Sequence, residues 1–432
     1  MNNTIKVSIS AAIICSLFCL IFLSGCGKQA VSNKNKEITF LFQGTPEQIK
    51  LFKDKMIPLF EKRNPGIEVK LLLVTGGSNV DKLMTMMAAG TPPDVMYLQD
   101  TALPNFVAKG VLLNLNEFAK EDKEFNISDF YPAGIKLGSI DGKLYLVPRV
   151  TGVVVVFYNK KLFDEAHIPY PEKDWKWDDL YKIGKALTRD INNDARIDQW
   201  GIAGLDNIVA WTNLINQNGG SLFNKDKTKC LIDSPEAIEA VEFFKKLFDS
   251  KALVSTYNLS TSGLGGMELA QAFASGRVAM VFSDVGYLAN YLKTMSWGVV
   301  EPPMQKKKAS HAGSLGYTVS SKTKYPGESW KLVKFLVSPE FMREMIGKDV
   351  GYPSRKSVSK EFFSRFFGQN ADIDVFENTM KYGIYEQQLE KFSECLTYLI
   401  EIMDVASGAK KGDIPSTCKQ VSKKITVLLN KK

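Results

Sequence analysis

Residues Glu37–Gln43 alternate in polarity and are rich in β-formers, which predicts a first strand. Helical spacing of apolar residues follows over Glu47–Lys62, and Asn64-Pro65-Gly66 supplies a stop. Ile67–Val74 predicts a second strand, and Val80–Ala89 a helix ended by Gly90-Thr91-Pro92-Pro93. Asp94–Leu98 is a short apolar run suited to a buried parallel strand. Strand, helix, strand, helix, strand is the pattern of an α/β domain. Further along, Val153–Tyr158 is a continuous apolar strand. Helical spacing then covers 177–188, 211–218, 235–250 and 268–275. Val278–Phe282 and Trp297–Val300 predict short strands, the second ended by Glu301-Pro302-Pro303. Gly316–Ser320 is strand-like, Glu328–Leu336 helical, and 374–429 mostly helical around a loop at 408–415.

The first residues follow a different grammar. A short polar start with one lysine, Lys6, precedes an apolar run from Val7 to Leu23, and Leu23-Ser24-Gly25-Cys26 closes it. Charged start, apolar core and small residues at a cut site describe a secretory signal over residues 1–25. The ending resembles the lipobox of bacterial lipoproteins, which implies that Cys26 is lipidated and holds the chain at the outer face of the cell membrane. Residues 26–36 are polar, lysine-rich and without apolar periodicity, as expected of a flexible tether.

The chain has 432 residues, 45% of them apolar, more than one core usually supports, so two lobes are expected. The formal charge of +8 falls to +7 when the signal and its one lysine are removed. Basic residues are scattered, as in Lys306-Lys307-Lys308 and Lys410-Lys411, with no aromatic-interleaved stripe of the kind nucleic acid needs. Cys230, Cys395 and Cys418 match no zinc or redox spacing; Cys395 and Cys418 could bridge, but three thiols cannot all pair.

Several local phrases recur in order along the chain: Phe60-Glu-Lys-Arg-Asn-Pro-Gly-Ile-Glu-Val69, Gly90-Thr-Pro-Pro-Asp-Val95, Gly142-Lys-Leu-Tyr-Leu-Val-Pro148 and Phe157-Tyr-Asn-Lys-Lys-Leu-Phe163. Ile168-Pro-Tyr-Pro171, Trp175-Lys-Trp-Asp-Asp-Leu180, Phe273-Ala-Ser-Gly-Arg-Val-Ala-Met280 and Gly351-Tyr-Pro-Ser-Arg355 complete the series. Together they resemble the sugar-binding, extracellular solute-binding proteins of ABC importers, the family that includes maltose-binding protein. The resemblance implies an α/β, two-lobed periplasmic-binding-protein-like fold, with the ligand cleft between the lobes and crossing hinge strands. It places residues 37–150 and 305–350 in the first lobe, and 151–304 and 351–432 in the second. Val153–Phe157 and Tyr317–Ser320 are the candidate crossings. It further implies a small carbohydrate ligand, a membrane permease with a separate ATPase as partner, and a monomer.

Candidate ligand contacts follow from strand ends and from this resemblance. Asp100, in Tyr97-Leu98-Gln99-Asp100, lies just past a predicted parallel strand, where acids face the crevice of α/β sheets; a helix cap is the alternative. Tyr97 and Gln99 accompany it. Gln43 ends the first strand, as a contact or a turn cap. The family often places a stacking aromatic near Trp211; a core tryptophan on an amphipathic helix is the alternative. Asp284 and Tyr287 follow the Val278–Phe282 strand, Asp284 as edge acceptor or helix cap and Tyr287 as the preferred aromatic. Arg149, Gly313, Tyr352 and Arg355 lie where cleft contacts are common in the family, and each can instead be structural.

Asp190, Asn192, Asp194, the Arg196 carbonyl and Asp198 fall at the odd positions of an EF-hand-like loop, a candidate for structural calcium. Ala195 stands where a glycine is usual and Gly201 where a glutamate is usual, and an ordinary polar turn is the alternative. No catalytic residues are expected. Two histidines, His167 and His311, cannot form a three-histidine zinc site, and no Gly-x-Ser-x-Gly elbow occurs. A binder of a non-sugar solute (peptide, polyamine or glycerol phosphate) and a secreted glycan-active hydrolase remain the competing readings, the second because carboxylates are plentiful.

Overall fold

The computed structural model of the protein describes residues 35–431, apart from 75–77, 257–263, 265, 289–290, 347, 349–350, 368–371 and 385–388. The signal sequence, Cys26 and the tether up to residue 34 lie outside the described residues.

Strand β1 (Lys36–Phe42) lies between two parallel neighbours, β2 (Ile67–Leu73) and β3 (Val95–Gln99). Its alternate residues serve opposite faces. Ile38, Phe40 and Phe42 enter the main core with Phe52, Tyr97 and Tyr317, whereas Leu41 joins Met96, Leu98, Leu103 and Phe106 in a smaller cluster. A parallel sheet covered on both faces requires such near-continuous apolar strands. A hairpin of β4 (Ser139–Ile140) and β5 (Lys143–Leu144) leads into β6 (Val147–Val153).

At Val154 the chain leaves the first sheet and begins the second with β7 (Val155–Asn159). The other strands of that sheet are β8 (Trp200–Ala203), β9 (Val278–Ser283) and β10 (Trp297–Val300), in the order β10-β7-β9-β8. The chain then returns as β11 (Ser310–Val319), which pairs antiparallel with both β3 and β6. The short β12 (Gly383–Ile384) closes the first sheet, whose order is β12-β11-β3-β1-β2.

The return crossing is therefore 301–309, not Tyr317–Ser320. Residues 317–319 pair with β3 inside the first sheet, Tyr317 opposite Tyr97 and Val319 opposite Val95. Only the apolar end of this ten-residue strand carries a strand signal; its start, Ser310-His311-Ala312-Gly313, is small and polar. Residues 352–384, grouped above with the second lobe, pack chiefly on the first. The Thr151 amide donates to the Tyr352 carbonyl (2.9 Å) and the Ser354 amide to the Arg149 carbonyl (3.0 Å), the Tyr352 ring lies 5.4 Å from that of Tyr131, and helices Lys356–Phe367 and Ile373–Lys381 in turn bury Phe362, Phe363 and Phe376 on Tyr352. Arg355 pins this segment further, donating to the carbonyls of Val337 (2.6 Å) and Phe125 (3.0 Å) and to Asp129 Oδ2 (3.1 Å), with its guanidinium 4.1 Å from the Phe130 ring. Burial pushes the Asp129 carboxyl up, but hydrogen bonds from Ser357 and Arg355 hold it below its ordinary value. Arg355 is thus a structural clamp.

Helices Phe392–Ala406 and Ile414–Asn430 pack on helix Pro235–Asp249 and complete the second core. Cys230, Cys395 and Cys418 are free, buried thiols there, raised well above their ordinary value by burial. Helix Trp177–Ala186 meets β8 at two glycines: a Cβ on Gly201 would lie 1.9 Å from the Gly184 carbonyl oxygen, and one on Gly184 2.5 Å from Ile202 Cδ1. Among the described residues no helix is long and apolar enough to cross a membrane.

Because the clash at Gly201 is with backbone, the helix itself must move to relieve it. Gly201→Ala is expected to lower the unfolding free energy by about 1–3 kcal/mol, read as a lower urea midpoint at unchanged slope; an unshifted midpoint would show that this helix–strand contact is slack.

Candidate functional site

Between the two sheets lies a cavity of about 770 Å³, within the range of about 300–1,000 Å³ usual for small-ligand sites. The first sheet contributes the C-terminal end of β3 with Gln99, Asp100 and Thr101, and Val150 and Gly152 of β6. The second contributes the C-terminal end of β9 with Phe282, Ser283 and Asp284, and Gly204 after β8. Ligands of open α/β sheets bind outside the carboxyl ends of the strands, because loop and helix starts there leave polar groups free to converge.

Asp100 begins a single 3-10 turn, Asp100–Ala102, and is almost fully buried. Its Oδ1 accepts the Ser314 amide at 2.9 Å, which ties the end of β3 to β11. Burial pushes its carboxyl up to about 7, even though the amides of Ser314, Asp100 and Thr101 pull the other way. Gly313 lines the cavity beside it, and a Cβ there would stand 3.4 Å from His311 Nε2 and 3.9 Å from Asp100 Oδ1. His311 also lines the cavity; desolvation lowers its imidazole to about 4, so it is neutral at physiological pH.

Asp284 is exposed on the opposite wall, facing Gly152 across the cleft. The helix-cap reading of this residue is met, since its Oδ1 accepts the Gly286 amide at 2.8 Å at the start of the short helix Val285–Leu288, and its place in the cavity lining leaves the edge-acceptor reading open. Glu268, exposed at the start of helix Leu269–Ala274, brings a further carboxylate to the same wall. Buried Asp206 accepts Ser255 Oγ at 3.1 Å and Thr256 Oγ1 at 2.5 Å, holding Thr256 in the cavity wall.

Four of the expected residues, Gln99, Asp100, Asp284 and Gly313, thus come together. Others go elsewhere. Trp211 is 1% exposed and stacks on Phe244 (5.8 Å, 20°) in the second core, so the alternative of an amphipathic helix burying its aromatic prevails. Arg149 is buried, lies 4.2 Å over the Tyr97 ring, and donates to the hydroxyls of Tyr97 and of Tyr317 (3.2 Å). Tyr97 is therefore a core residue facing Arg149. Tyr352 is 1% exposed, with its hydroxyl 2.8 Å from that of Tyr131. Gln43 is exposed and accepts the Asn79 amide at 3.2 Å, at the start of helix Asn79–Ala88. Tyr287 falls in the Val285–Leu288 helix, and its side chain lies outside the described residues.

Among the described residues the aromatics lining the cavity are Phe282 and Phe392, neither expected from the sequence. Phe282 belongs to an apolar run in which every residue reads as core; the one signal was its place beside the strand end that carries Asp284. Phe392 opens a long C-terminal helix, and nothing in its local sequence marks it.

In the acidic loop, Asp190 accepts the amides of Asp194 (3.2 Å) and Ala195 (2.8 Å), and Asp198 accepts that of Ile191 (2.9 Å). Asp194 accepts the Arg196 amide at 2.8 Å. Asn192 Oδ1 accepts the Asp194 amide at 3.0 Å, and Ala195 has φ +66°. Among the described residues, no group of three or more His, Cys, Asp or Glu is placed to hold a metal ion.

The chain matches the family described as bacterial extracellular solute-binding protein over residues 45–343. An arabinooligosaccharide-binding protein of Bacillus subtilis is 23% identical over 392 residues, covering 86% of each chain. An ABC substrate-binding protein of Listeria monocytogenes, solved in complex with cycloalternan, superposes with a TM-score of 0.77 at 25% identity, over 92% of this chain and 100% of that one. The UgpB protein of Mycobacterium tuberculosis, solved with glycerophosphocholine, superposes with a TM-score of 0.73 at 18% identity, over 92% and 99%.

The placement of Trp211 is open to direct test. Trp211→Ala is expected to cost about 3–5 kcal/mol of stability, while Trp211→Phe keeps the stack on Phe244 and binds ligand as the parent does. A Trp211→Phe variant that melts cooperatively but has lost its ligand would return this residue to the cleft.

Proposed function

The chain belongs to the bacterial extracellular solute-binding proteins, and on that premise we propose that it is a lipid-anchored receptor which captures a carbohydrate between its lobes and delivers it to an ABC permease. The observation that carries this reading is the composition of the interlobe cavity. Two phenyl rings, Phe282 and Phe392, share it with acceptors and small polar groups from both sheets, among them Asp100, Asp284, Thr101 and Ser283. A sugar ring has apolar faces and a rim of hydroxyls, so it needs a flat apolar surface together with edge acceptors. The arabinooligosaccharide-binding relative and the cycloalternan-bound neighbour support the same class of ligand, whereas the glycerophosphocholine-bound neighbour belongs with the non-sugar alternative.

In mechanism, a sugar that touches both walls binds the closed arrangement better than the open one and so shifts the population toward it. The closed form is the one recognised by the permease, which works with a separate ATPase. Cys26 carries the lipid that keeps the receptor at the outer face of the membrane. The protein releases its ligand unchanged.

Two measurements check this reading. A ligand that binds only the native state raises the melting temperature with concentration, so a thermal-shift panel of mono- and oligosaccharides is expected to give a dose-dependent rise with one sugar class, recovered chemically intact. Rises confined to peptides, polyamines or glycerol phosphates would favour a non-sugar solute, and a consumed glycan would favour a hydrolase. The second concerns pH. Sugar hydroxyls donating to Asp100 favour its ionised form, and in the empty protein that form appears only above about pH 7. Affinity is therefore expected to fall as pH drops through 7, and Asp100→Asn to flatten this dependence. Calorimetric titrations across this range would expose the idea as wrong if the parent profile were flat.

A further inference from the structure

The chain carries more basic than acidic residues, 55 against 47, yet the cleft has the opposite sign. Asp100, Glu268 and Asp284 line it, and no lysine or arginine is among the described residues that do. The internal segments outside the described residues contain no lysine or arginine either. The nearby cations are turned to other partners. Arg149 packs on Tyr97 and Tyr317 behind the wall, and Lys348 Nζ donates to the Glu344 carbonyl at 2.9 Å. His311, the one titratable base in the wall, is neutral.

We propose that this cleft selects uncharged or amine-bearing sugars and rejects sugars that carry carboxylate, sulfate or phosphate groups. The inference rests on the carbohydrate reading above and names the charge class of its ligand. An anionic group brought into the cleft meets the exposed acids Glu268 and Asp284 of the second wall, joined above about pH 7 by Asp100 of the first, and no lysine or arginine among the described lining residues offsets its lost hydration. A hydroxyl or ammonium donor meets acceptors on both walls. Selection by repulsion is an economical route to specificity, because it excludes one class without shaping the site to each accepted member.

The test uses matched trisaccharides of the gluco and galacto series, each as the neutral form, the C6-carboxylate and the 2-amino form, titrated calorimetrically into the purified protein at low salt. In the responding series the carboxylate member is expected to bind more weakly than the neutral one by at least roughly tenfold, and the amino member at least as tightly. The double variant Glu268→Gln, Asp284→Asn keeps side-chain shape and is expected to close most of that gap. A carboxylate member that binds as tightly as its neutral counterpart overturns the inference and leaves the carbohydrate reading standing. A gap unchanged in the double variant also overturns it. No binding by any member removes the carbohydrate reading, and this inference with it.

Discussion

Strand β11 has β3 on one side and β6 on the other, and at Gly316 the backbones come so close that a Cβ would lie 2.2 Å from the Val147 carbonyl oxygen. Leu315 pairs with Val150 and Gly316 with Pro148, so Arg149 is left without an opposite number. An extra residue of this kind kinks the strand and re-aims a side chain. Here it sends the guanidinium onto the Tyr97 and Tyr317 rings, inside the first lobe. Proline suits this point of the strand because it has no N–H to leave unpaired. Past the slip, Val150 and Gly152 face the cavity and the Ser314 amide reaches Asp100. The shape of the first wall thus follows from one close backbone approach.

Asp100 and Asp284 occupy equivalent places on two different sheets, each just after a buried strand and each opening a helical turn. Their environments differ. Asp284 is exposed, whereas Asp100 is pressed into the wall and stays partly protonated near neutral pH. Ionising Asp100 in the empty protein is unfavourable; with its folded value near 7 and its ordinary value of 3.8, its contribution to stability is fully present below about pH 4 and is lost as pH rises through 7. A wall built to accept hydrogen bonds is therefore a little strained until a donor arrives.

The strand ends were legible in the sequence because buried strands are short apolar runs and the residue after each is polar. β3, β7, β9 and β10 all lie within two residues of their expected bounds, and Asp100 and Asp284 follow from that. Aromatics were not legible by the same means. Trp211 sits on an amphipathic helix, where one pattern serves equally for a core residue and a ligand platform, and only the neighbouring Phe244 decides. Phe392 reaches the cleft from a helix far along the chain, so its role depends on tertiary packing that no local period encodes. The expected lobe boundary at 304/305 falls inside the return crossing, but the crossing strand was placed at Tyr317–Ser320 because residues 301–309 carry no strand signal and only the apolar half of β11 does.

That crossing also shows where a rotation of the lobes would have to be absorbed. Trp175 Nε1 donates to the Glu301 carbonyl (2.8 Å), the Lys306 amide to the Gln217 carbonyl (2.8 Å), and Gln217 Nε2 to the Ala309 carbonyl (3.0 Å), so residues 301–309 are fastened along their length to the second lobe. Glu301 is buried, a costly position for a carboxylate unless it is paired. Lys308 bonds it at 2.6 Å, and the Tyr382 hydroxyl, from the segment packed on the first lobe, donates to it at 2.9 Å. Beyond Ala309 the fastening changes sides: Val154 N donates to the His311 carbonyl (3.1 Å) and Ser310 Oγ to the Val154 carbonyl (2.5 Å). These two crossings run side by side at Val154 and Ser310, and β12, after which the chain passes again to the helices of the second core, pairs with the same start of β11 at Ser310 and His311. A hinge there moves both strands together, and it carries His311, a cavity residue, with it. The Glu301–Tyr382 bond is one tie between the lobes; the Phe367 ring 5.2 Å from Trp297 and the Phe376 ring 6.1 Å from Phe157 bind the same helices to the second sheet, so a turn of the lobes has to work against these contacts together.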